Sequence, residues 1–248
     1  MSGTVQPRVA LVTGAAGTMG AATARRLVAD GYRVALTDIS GKRLDALASE
    51  LGGAAHAVPA DLSDADEIER LVVEAERALG SIDILVNNAG ILSNKKSGDT
   101  TIEEWRKVLT INLDATFLLS RRVLTGMKTR RFGRIVNVCS LAMKSGGLTA
   151  GTAYTTSKGA VAALTFSLAR ESAAFGVTVN AISPAYVKTP MVTEQLTEAQ
   201  RQALLAQIPV GRFCEPEEFA HCVAFLVSPL SGFITGEVLD LNGGLHFD

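Results

Sequence analysis

Tyr154 and Lys158 stand four residues apart in the run Tyr154-Thr155-Thr156-Ser157-Lys158. On a helix this spacing puts a phenol and an ammonium on one face, able to project into one site. A free phenol, with a pKa of about 10, is a poor base at neutral pH. A neighbouring cation favours the phenolate and draws that value down toward working pH. A phenol tuned in this way takes a proton from an alcohol or gives one to a carbonyl. Alone, the pair also fits a helix-face tyrosine with a solvated lysine one turn on, so its meaning depends on what the rest of the chain builds.

A second group of residues has the types that hold a dinucleotide. The apolar run Val9-Ala10-Leu11-Val12 leads into Thr13-Gly14-Ala15-Ala16-Gly17-Thr18-Met19-Gly20, followed by an amphipathic helix to about Ala29. Glycines at a strand-to-helix turn let the backbone approach a pyrophosphate, and the helix N-terminus supplies N–H groups and a positive dipole end. The next strand, Arg33–Thr37, ends at Asp38. An acidic residue about 20 positions beyond the glycines is where such a site hydrogen-bonds the adenosine ribose. A carboxylate there repels a 2′-phosphate, which points to NAD rather than NADP. Asp38 could also cap the helix starting near Gly41, and the two roles are compatible.

The elements that must carry these groups alternate. A helix over 42–51 precedes a strand over 55–60 that ends at Asp61, and a helix over 65–79 opens with Ser63, Asp64, Asp66 and Glu67, a capped and dipole-matched start. Ile82–Val86 reads as a buried strand closed by Asn87-Asn88-Ala89-Gly90. This pattern predicts an α/β fold of one domain over residues 1–248, a Rossmann-type doubly wound parallel sheet of about seven strands with helices on both faces. Ligands of such a sheet sit outside the carboxyl ends of the strands, where the Gly14 turn, Asp38, Asp61 and Asn88 all fall.

A long helix is expected from about Ile102 to Met127, with Asn112 inside it. A mid-helix amide there is either exposed or bonded into something. Arg130, Arg131 and Arg134 read as a solvated edge before the strand Ile135–Cys139, which ends at Ser140. Gly146, Gly147 and Gly151 mark a loop, and a helix over 152–175 carries Tyr154 and Lys158. The strand Val177–Ile182 ends in Ser183-Pro184. Residues 187–208 read as a small helical lid over the strand ends. A helix over Pro216–Val227 and a strand over Val238–Leu241 complete the chain.

Composition narrows the classes. Hydrophobic residues are 47% of 248 and charged ones 20%, enough for a sizeable core. The net charge of −1, without blocks of like charge, argues against nucleic acid as a partner. No apolar run approaches a membrane span and the N-terminus shows no signal core, so a cytoplasmic enzyme with no membrane partner is expected. Cys139, Cys214 and Cys222 lack metal-type spacing and the three histidines are scattered, so no metal is expected.

Together these residues resemble the short-chain dehydrogenase/reductase family over nearly the whole chain. Thr13-Gly14 through Gly20 is similar to its glycine turn and Asn87-Asn88-Ala89-Gly90 to its Asn-Asn-Ala-Gly segment. Asn112, Ser140, Tyr154 and Lys158 fall at its catalytic tetrad, and Pro184 and Thr189 in the segment lining the nicotinamide. Thr18 stands where the family usually has glycine, and Ala185 follows Pro184 where glycine is common. The resemblance implies an NAD(H)-dependent oxidoreductase interconverting a secondary alcohol and a ketone. In it Tyr154 is the general acid/base, Lys158 lowers its pKa and bonds the nicotinamide ribose, Ser140 polarises the substrate oxygen, and Asn112 holds a water in a proton relay. It assigns cofactor contacts to Gly14, Thr18, Met19, Gly20, Asp38, Ile39, Asp61, Leu62, Asn88, Ala89, Gly90, Tyr154, Lys158, Pro184, Val187 and Thr189.

The pocket candidates are Leu141, Ala142, Met143, Leu148, Tyr186, Met191 and Leu196, mostly apolar, which suits a hydrophobic secondary alcohol or ketone. Lys144 is a candidate partner for a substrate carboxylate or phosphate. A 3-oxoacyl-thioester reductase is the alternative enzyme, although such relatives usually prefer NADP and Asp38 speaks against that. A non-catalytic NAD-sensing regulator is the alternative of another class. Family members commonly form homotetramers through the two long helices, and both helices here carry surplus apolar surface.

Overall fold

A computed structural model describes residues 7–190 and 197–247. Its strands are β1 (Val9–Thr13), β2 (Arg33–Thr37), β3 (Ala55–Ala57), β4 (Ile82–Asn87), β5 (Gly133–Val138), β6 (Val177–Pro184) and β7 (Val238–Leu241). All pair in parallel in one sheet of order β3-β2-β1-β4-β5-β6-β7. Strand order reverses between β1 and β4, and the crevice there is the natural ligand site of such a sheet. β1, β5 and β6 are buried along their whole length. That explains the unbroken apolar run Val9–Val12 of β1: a sheet covered on both faces has no polar side to alternate with.

The covering helices are α1 (Thr18–Ala29), α2 (Gly41–Leu51), α3 (Ala65–Leu79), α4 (Ile102–Leu109), α5 (Ala115–Arg130), α6 (Ala142–Ser145), α7 (Thr152–Ser172), α8 (Glu198–Leu205) and α9 (Pro216–Val227). Two core clusters lie on opposite faces of the sheet. Leu11 and Leu85 pack with Ile68 of α3, Leu119 of α5 and Leu168 of α7. Val12 and Val86 pack with Leu27 of α1, Leu44 of α2 and Phe219 of α9. Adjacent strand residues thus feed different layers, as the pleat requires. The start of α3 is capped as its sequence indicates, with the Asp64 carboxylate accepting from the N–H of Asp66 and Glu67.

Four expectations are corrected. β3 stops at Ala57 rather than Ala60, although the Val58 and Ala60 N–H groups still donate to the Leu36 and Asp38 carbonyls. The long helix over 102–127 is two helices, α4 and α5, joined by a π turn over Thr110–Asp114 with Asn112 at its centre. The helix over 152–175 ends as a regular α-helix at Ser172 and closes in a 3₁₀ turn over Ala173–Phe175. Arg134 is no solvated edge: only 4% exposed, it donates to the carbonyls of Gly133, Gly176, Ser228 and Pro229, and burial lowers its pKa. Its guanidinium lies 4.5 Å from the centroid of the Phe132 ring, and that contact and the hydrogen bonds keep the buried charge tolerable. Met191 and Leu196, in the lid segment, lie outside the described residues. Among the described residues no helix is long and apolar enough to cross a membrane, and no cluster of metal-ligating side chains is present.

Candidate active site

Every element that carries the motif residues delivers them to the carboxyl end of the sheet. Asn112 is 1% exposed and fully engaged. Its Oδ1 accepts from the Ile91 N–H at 2.8 Å, and its Nδ2 donates to the Ile91 carbonyl at 3.0 Å and to Ser157 Oγ at 3.0 Å. The π turn turns this side chain inward, and Thr116 Oγ1 covers the Asn112 carbonyl at 3.0 Å. Ser157 Oγ in turn donates to the Tyr154 carbonyl at 2.7 Å. The turn at Asn112 is therefore tied to the helix that carries Tyr154 and Lys158.

Lys158 is 4% exposed, and its Nζ donates to the Val138 carbonyl at 2.7 Å. It lies 5.7 Å from the centroid of the Tyr154 ring. Burial drives the Lys158 pKa down from 10.5 to about 8. The Tyr154 phenol shares a hydrogen bond with Ser140, which lowers its pKa, but burial is the larger effect and the net shift is upward. This reverses the expectation that the ammonium pulls the phenol down. In this arrangement Lys158 spends its strongest interaction on a main-chain carbonyl, and the phenolate has lost its water. Gly90 completes the wall: a Cβ there would lie 3.2 Å from Asn112 Oδ1 and 3.3 Å from Lys158 Nζ.

The residues across the crevice fit a dinucleotide. Gly14 has φ +62° and sits against Ala89, and a Cβ at Gly20 would come within 2.2 Å of the Gly14 carbonyl oxygen. Glycine is required at both positions, and α1 begins hard against the turn. The N-cap Gly17 offers no side-chain cap, and the first turn of α1 has no acidic residue. Its N–H groups and dipole are thus left to an anion, whereas α3 and α4 use their own Asp64 and Thr101 caps. Thr18 is simply the first residue of α1, with Gly17 extended before it, so glycine is not needed there. Met19 is half-buried behind it.

Asp38, at the end of β2, accepts from the Ala16 N–H at 3.1 Å and the Ser40 N–H at 3.3 Å. It braces the glycine turn rather than capping α2, whose N-cap is Ser40. Ile39 beside it is 75% exposed. Asp61 turns to Ser63, whose N–H and hydroxyl both bond its Oδ1, at 2.8 and 2.7 Å, and hold its pKa below the usual carboxylate range. Leu62 is buried behind it. Asn88 Nδ2 donates to the Thr13 and Gly14 carbonyls, while its buried Oδ1 has no partner.

At the end of β6, Pro184 closes the strand, and Val187 pairs with Cys214 in an isolated parallel bridge. Thr189 is half-buried nearby in sequence. Of the pocket candidates, Ala142 is buried, Met143 half-buried and Leu148 71% exposed. Tyr186 stacks edge-on to Phe213 at 6.4 Å and lines a cavity of about 130 Å³ with Ile208 and Leu241, one that Ser140 and Tyr154 do not reach. Lys144 forms an ion pair with Asp240 at 2.6 Å, so its charge is committed within the protein.

Further ties, whose roles the motif reading did not assign, hold the site together. Thr13 Oγ1 accepts from the N–H of Asn88 and Ala89, locking the glycine turn to the Asn-Asn-Ala-Gly segment. Asn87 and Asn137 bond across β4 and β5 at 2.8 Å, and Asn137 reaches Thr165 of α7 at 2.9 Å. Lys96 donates to the Gly147 and Ala150 carbonyls at 2.6 and 2.7 Å, pinning the loop that enters α7. The buried asparagines in two apolar strands were the available signal, since a buried amide must find partners. Nothing near Lys96 in the sequence marks it.

A family profile described as "Enoyl-(Acyl carrier protein) reductase" matches residues 14–246. The chain is 40% identical over 245 residues to the 3-oxoacyl-[acyl-carrier-protein] reductase FabG of Aquifex aeolicus, covering 97% of this chain and 98% of that one. It is 40% identical over 240 residues to the acetoacetyl-CoA reductase of Rhizobium meliloti, covering 97% and 99%, and 37% identical over 241 residues to FabG of Escherichia coli, covering 96% and 97%. The chain is an oxidoreductase of the short-chain dehydrogenase/reductase family.

Proposed function

We propose that this protein reduces 3-oxoacyl thioesters to 3-hydroxyacyl thioesters with NADH. The observation that carries the reading is the Ser140–Tyr154 hydrogen bond beside buried Lys158, in a chain similar end to end to proteins named as reductases of such ketones. Two hydroxyls that meet each other also converge on one acceptor oxygen, which is what a carbonyl presents. The upward shift of Tyr154 keeps its proton on at neutral pH, the form that donates in the reductive direction.

NADH, when bound, supplies hydride to the carbonyl carbon. Ser140 hydrogen-bonds the carbonyl oxygen and Tyr154 gives that oxygen its proton, leaving a hydroxyl. The Tyr154 phenolate is then reprotonated from Lys158, an ammonium with a pKa of about 8, and Lys158 from solvent along the Asn112 side. Gly14, Thr18, Met19 and Gly20 hold the pyrophosphate, Asp38 and Ile39 the adenosine, Asp61 and Leu62 the adenine, and Asn88, Ala89, Gly90, Pro184, Val187 and Thr189 the nicotinamide half. Asp38 supports NADH over NADPH: at the end of β2 and against the glycine turn, its carboxylate would repel a 2′-phosphate.

Interconversion of simple secondary alcohols and ketones with NAD uses the same residues and is the second reading, favoured by the mostly apolar pocket candidates. Initial rates separate them: acetoacetyl-CoA with NADH is to be turned over faster than with NADPH, crotonyl-CoA left unreduced, and 2-butanol with NAD⁺ oxidised far more slowly. Preference for 2-butanol overturns the thioester reading. Preference for NADPH overturns the cofactor assignment. Dinucleotide binding without turnover of any substrate would make the protein a sensor instead. A homotetramer in the cytoplasm belongs to the same reading, supported by exposed Phe117 on α5 and Phe166 on α7. Sedimentation of a monomer at working concentration would remove it.

A further inference from the structure

We propose that the Lys144–Asp240 ion pair is a positioning clamp that sets the place of Ser140, resting on the reading of Ser140 as the group that binds the substrate oxygen. Ser140 lies just past the end of β5, at the head of a short turn. The Ala142 N–H donates to Ser140 Oγ at 3.2 Å, the Met143 N–H to the Ser140 carbonyl at 3.1 Å, and the Lys144 and Ser145 N–H groups to the Leu141 carbonyl at 3.0 Å each. Residues 140–145 therefore move as one hydrogen-bonded unit.

That unit is held in place by its attachments to the neighbouring strands and loop. α6 has four residues, too few to be stable alone. Gly146 and Gly147 follow it, both with φ +74°, and turn the chain into the loop before α7, which Lys96 holds by the Gly147 and Ala150 carbonyls. At the near end the Leu141 N–H bonds the Pro184 carbonyl at 3.0 Å. At the far end Lys144 Nζ reaches Asp240 Oδ2 at 2.6 Å. Asp240 sits on β7 opposite Ser183, one residue before the Leu241–Pro184 pair. The turn that carries Ser140 is thus fixed to the carboxyl ends of both β6 and β7.

An exposed ion pair contributes little, but the side chains here are 16% and 23% exposed, and one partner is anchored on a strand. Among the described residues the other Asp240 oxygen is buried without a partner, and Lys144 is the side chain that holds the carboxylate there. A displacement of Ser140 by about 1 Å is enough to cost on the order of 100-fold in rate. Cys139, 1% exposed and next to Ser140 in sequence, reports on this turn without any substrate.

The test uses Lys144→Met, Asp240→Asn and the swapped pair Lys144→Glu/Asp240→Lys in the full chain. It measures kcat and KM for acetoacetyl-CoA, the Kd for NADH by fluorescence, and the rate at which iodoacetamide modifies Cys139, read by peptide mass. Each single variant is expected to lose about tenfold or more in kcat. NADH affinity is to stay within about twofold, Cys139 to become reactive, and the swapped pair to recover most of both losses. A purely structural pair would lower the melting temperature and leave kcat per folded molecule alone. Wild-type kcat and an unreactive Cys139 in both single variants would overturn the clamp, as would a swapped pair no better than the singles. If Lys144→Met does not fold, the isosteric Asp240→Asn decides by the same criteria. If wild-type protein does not reduce acetoacetyl-CoA, the thioester reading has failed, and the Cys139 rates alone decide the clamp.

Discussion

Replacing Lys158 with methionine should stabilise the protein while abolishing its chemistry. The ammonium is almost wholly buried, and burial lowers its pKa from 10.5 to about 8. At about 1.4 kcal/mol per pH unit that difference corresponds to roughly 3 kcal/mol of destabilisation at neutral pH. Methionine removes the charge but leaves the Val138 carbonyl, bonded by Lys158 at 2.7 Å, without that donor, a loss of about 1–2 kcal/mol. The net gain is about 1–2 kcal/mol, a rise of roughly 2–8 °C in melting temperature for a domain of this size.

The pH dependence follows from the direction of the shift. Between about pH 8 and 10.5 the unfolded lysine keeps its proton while the folded one has lost it. The unfolded state then binds more protons, so wild-type stability rises with pH across that window, and below about pH 8 the penalty is fully present. Tyr154, shifted upward, adds an opposite trend only above about pH 10, and the buried cysteines are common to both proteins. Thermal melts of wild type and Lys158→Met, without dinucleotide, at about pH 7 and pH 9.5 are the assay. The advantage of the variant is to shrink as pH rises. A variant less stable than wild type at neutral pH, or a gap that ignores pH, would refute the reasoning.

Asp38→Asn should narrow or invert the preference for NADH over NADPH, read as the ratio of kcat/KM values; an unchanged ratio would mean that the carboxylate does not govern the choice. Gly20→Ala puts a methyl 2.2 Å from the Gly14 carbonyl and must displace the turn, so NADH affinity should fall by more than about tenfold in a titration. Asn112→Ala strips three hydrogen bonds from a buried site and leaves Ile91 unpaired, so chemical denaturation should show a loss of about 2–4 kcal/mol.

What could be read in the chain was what repeats or is forced by sterics. Pro216 starts α9 and Val227 ends it as the sequence indicated, and the buried runs of β1, β5 and β6 declare a sheet covered on both faces. The glycine turn between β1 and α1 was legible because Gly14 and Gly20 are needed there for steric reasons local to that turn. Less local features were not. A π turn needs only one extra residue in a helical pattern, so periodicity around Asn112 showed an interruption but not its form. Arg134 sits in an arginine-rich turn, and its burial depends on carbonyls from residues 228 and 229, far away in sequence. The partners of the Lys144–Asp240 pair stand 96 positions apart in the sequence. The direction of the Tyr154 shift was misjudged for a related reason: helical spacing gives proximity to a cation, whereas desolvation depends on everything packed around the ring.

The most direct measurement compares wild type with Tyr154→Phe, following NADH consumption with acetoacetyl-CoA and NADH binding by fluorescence in the same preparations. If Tyr154 delivers the proton, the variant binds NADH as wild type does and loses about 1000-fold or more in kcat, within the range that a positioned acid supplies. Turnover by the variant within about tenfold of wild type would show that the proton comes from elsewhere, and the Ser140–Tyr154–Lys158 cluster would not be the catalytic centre.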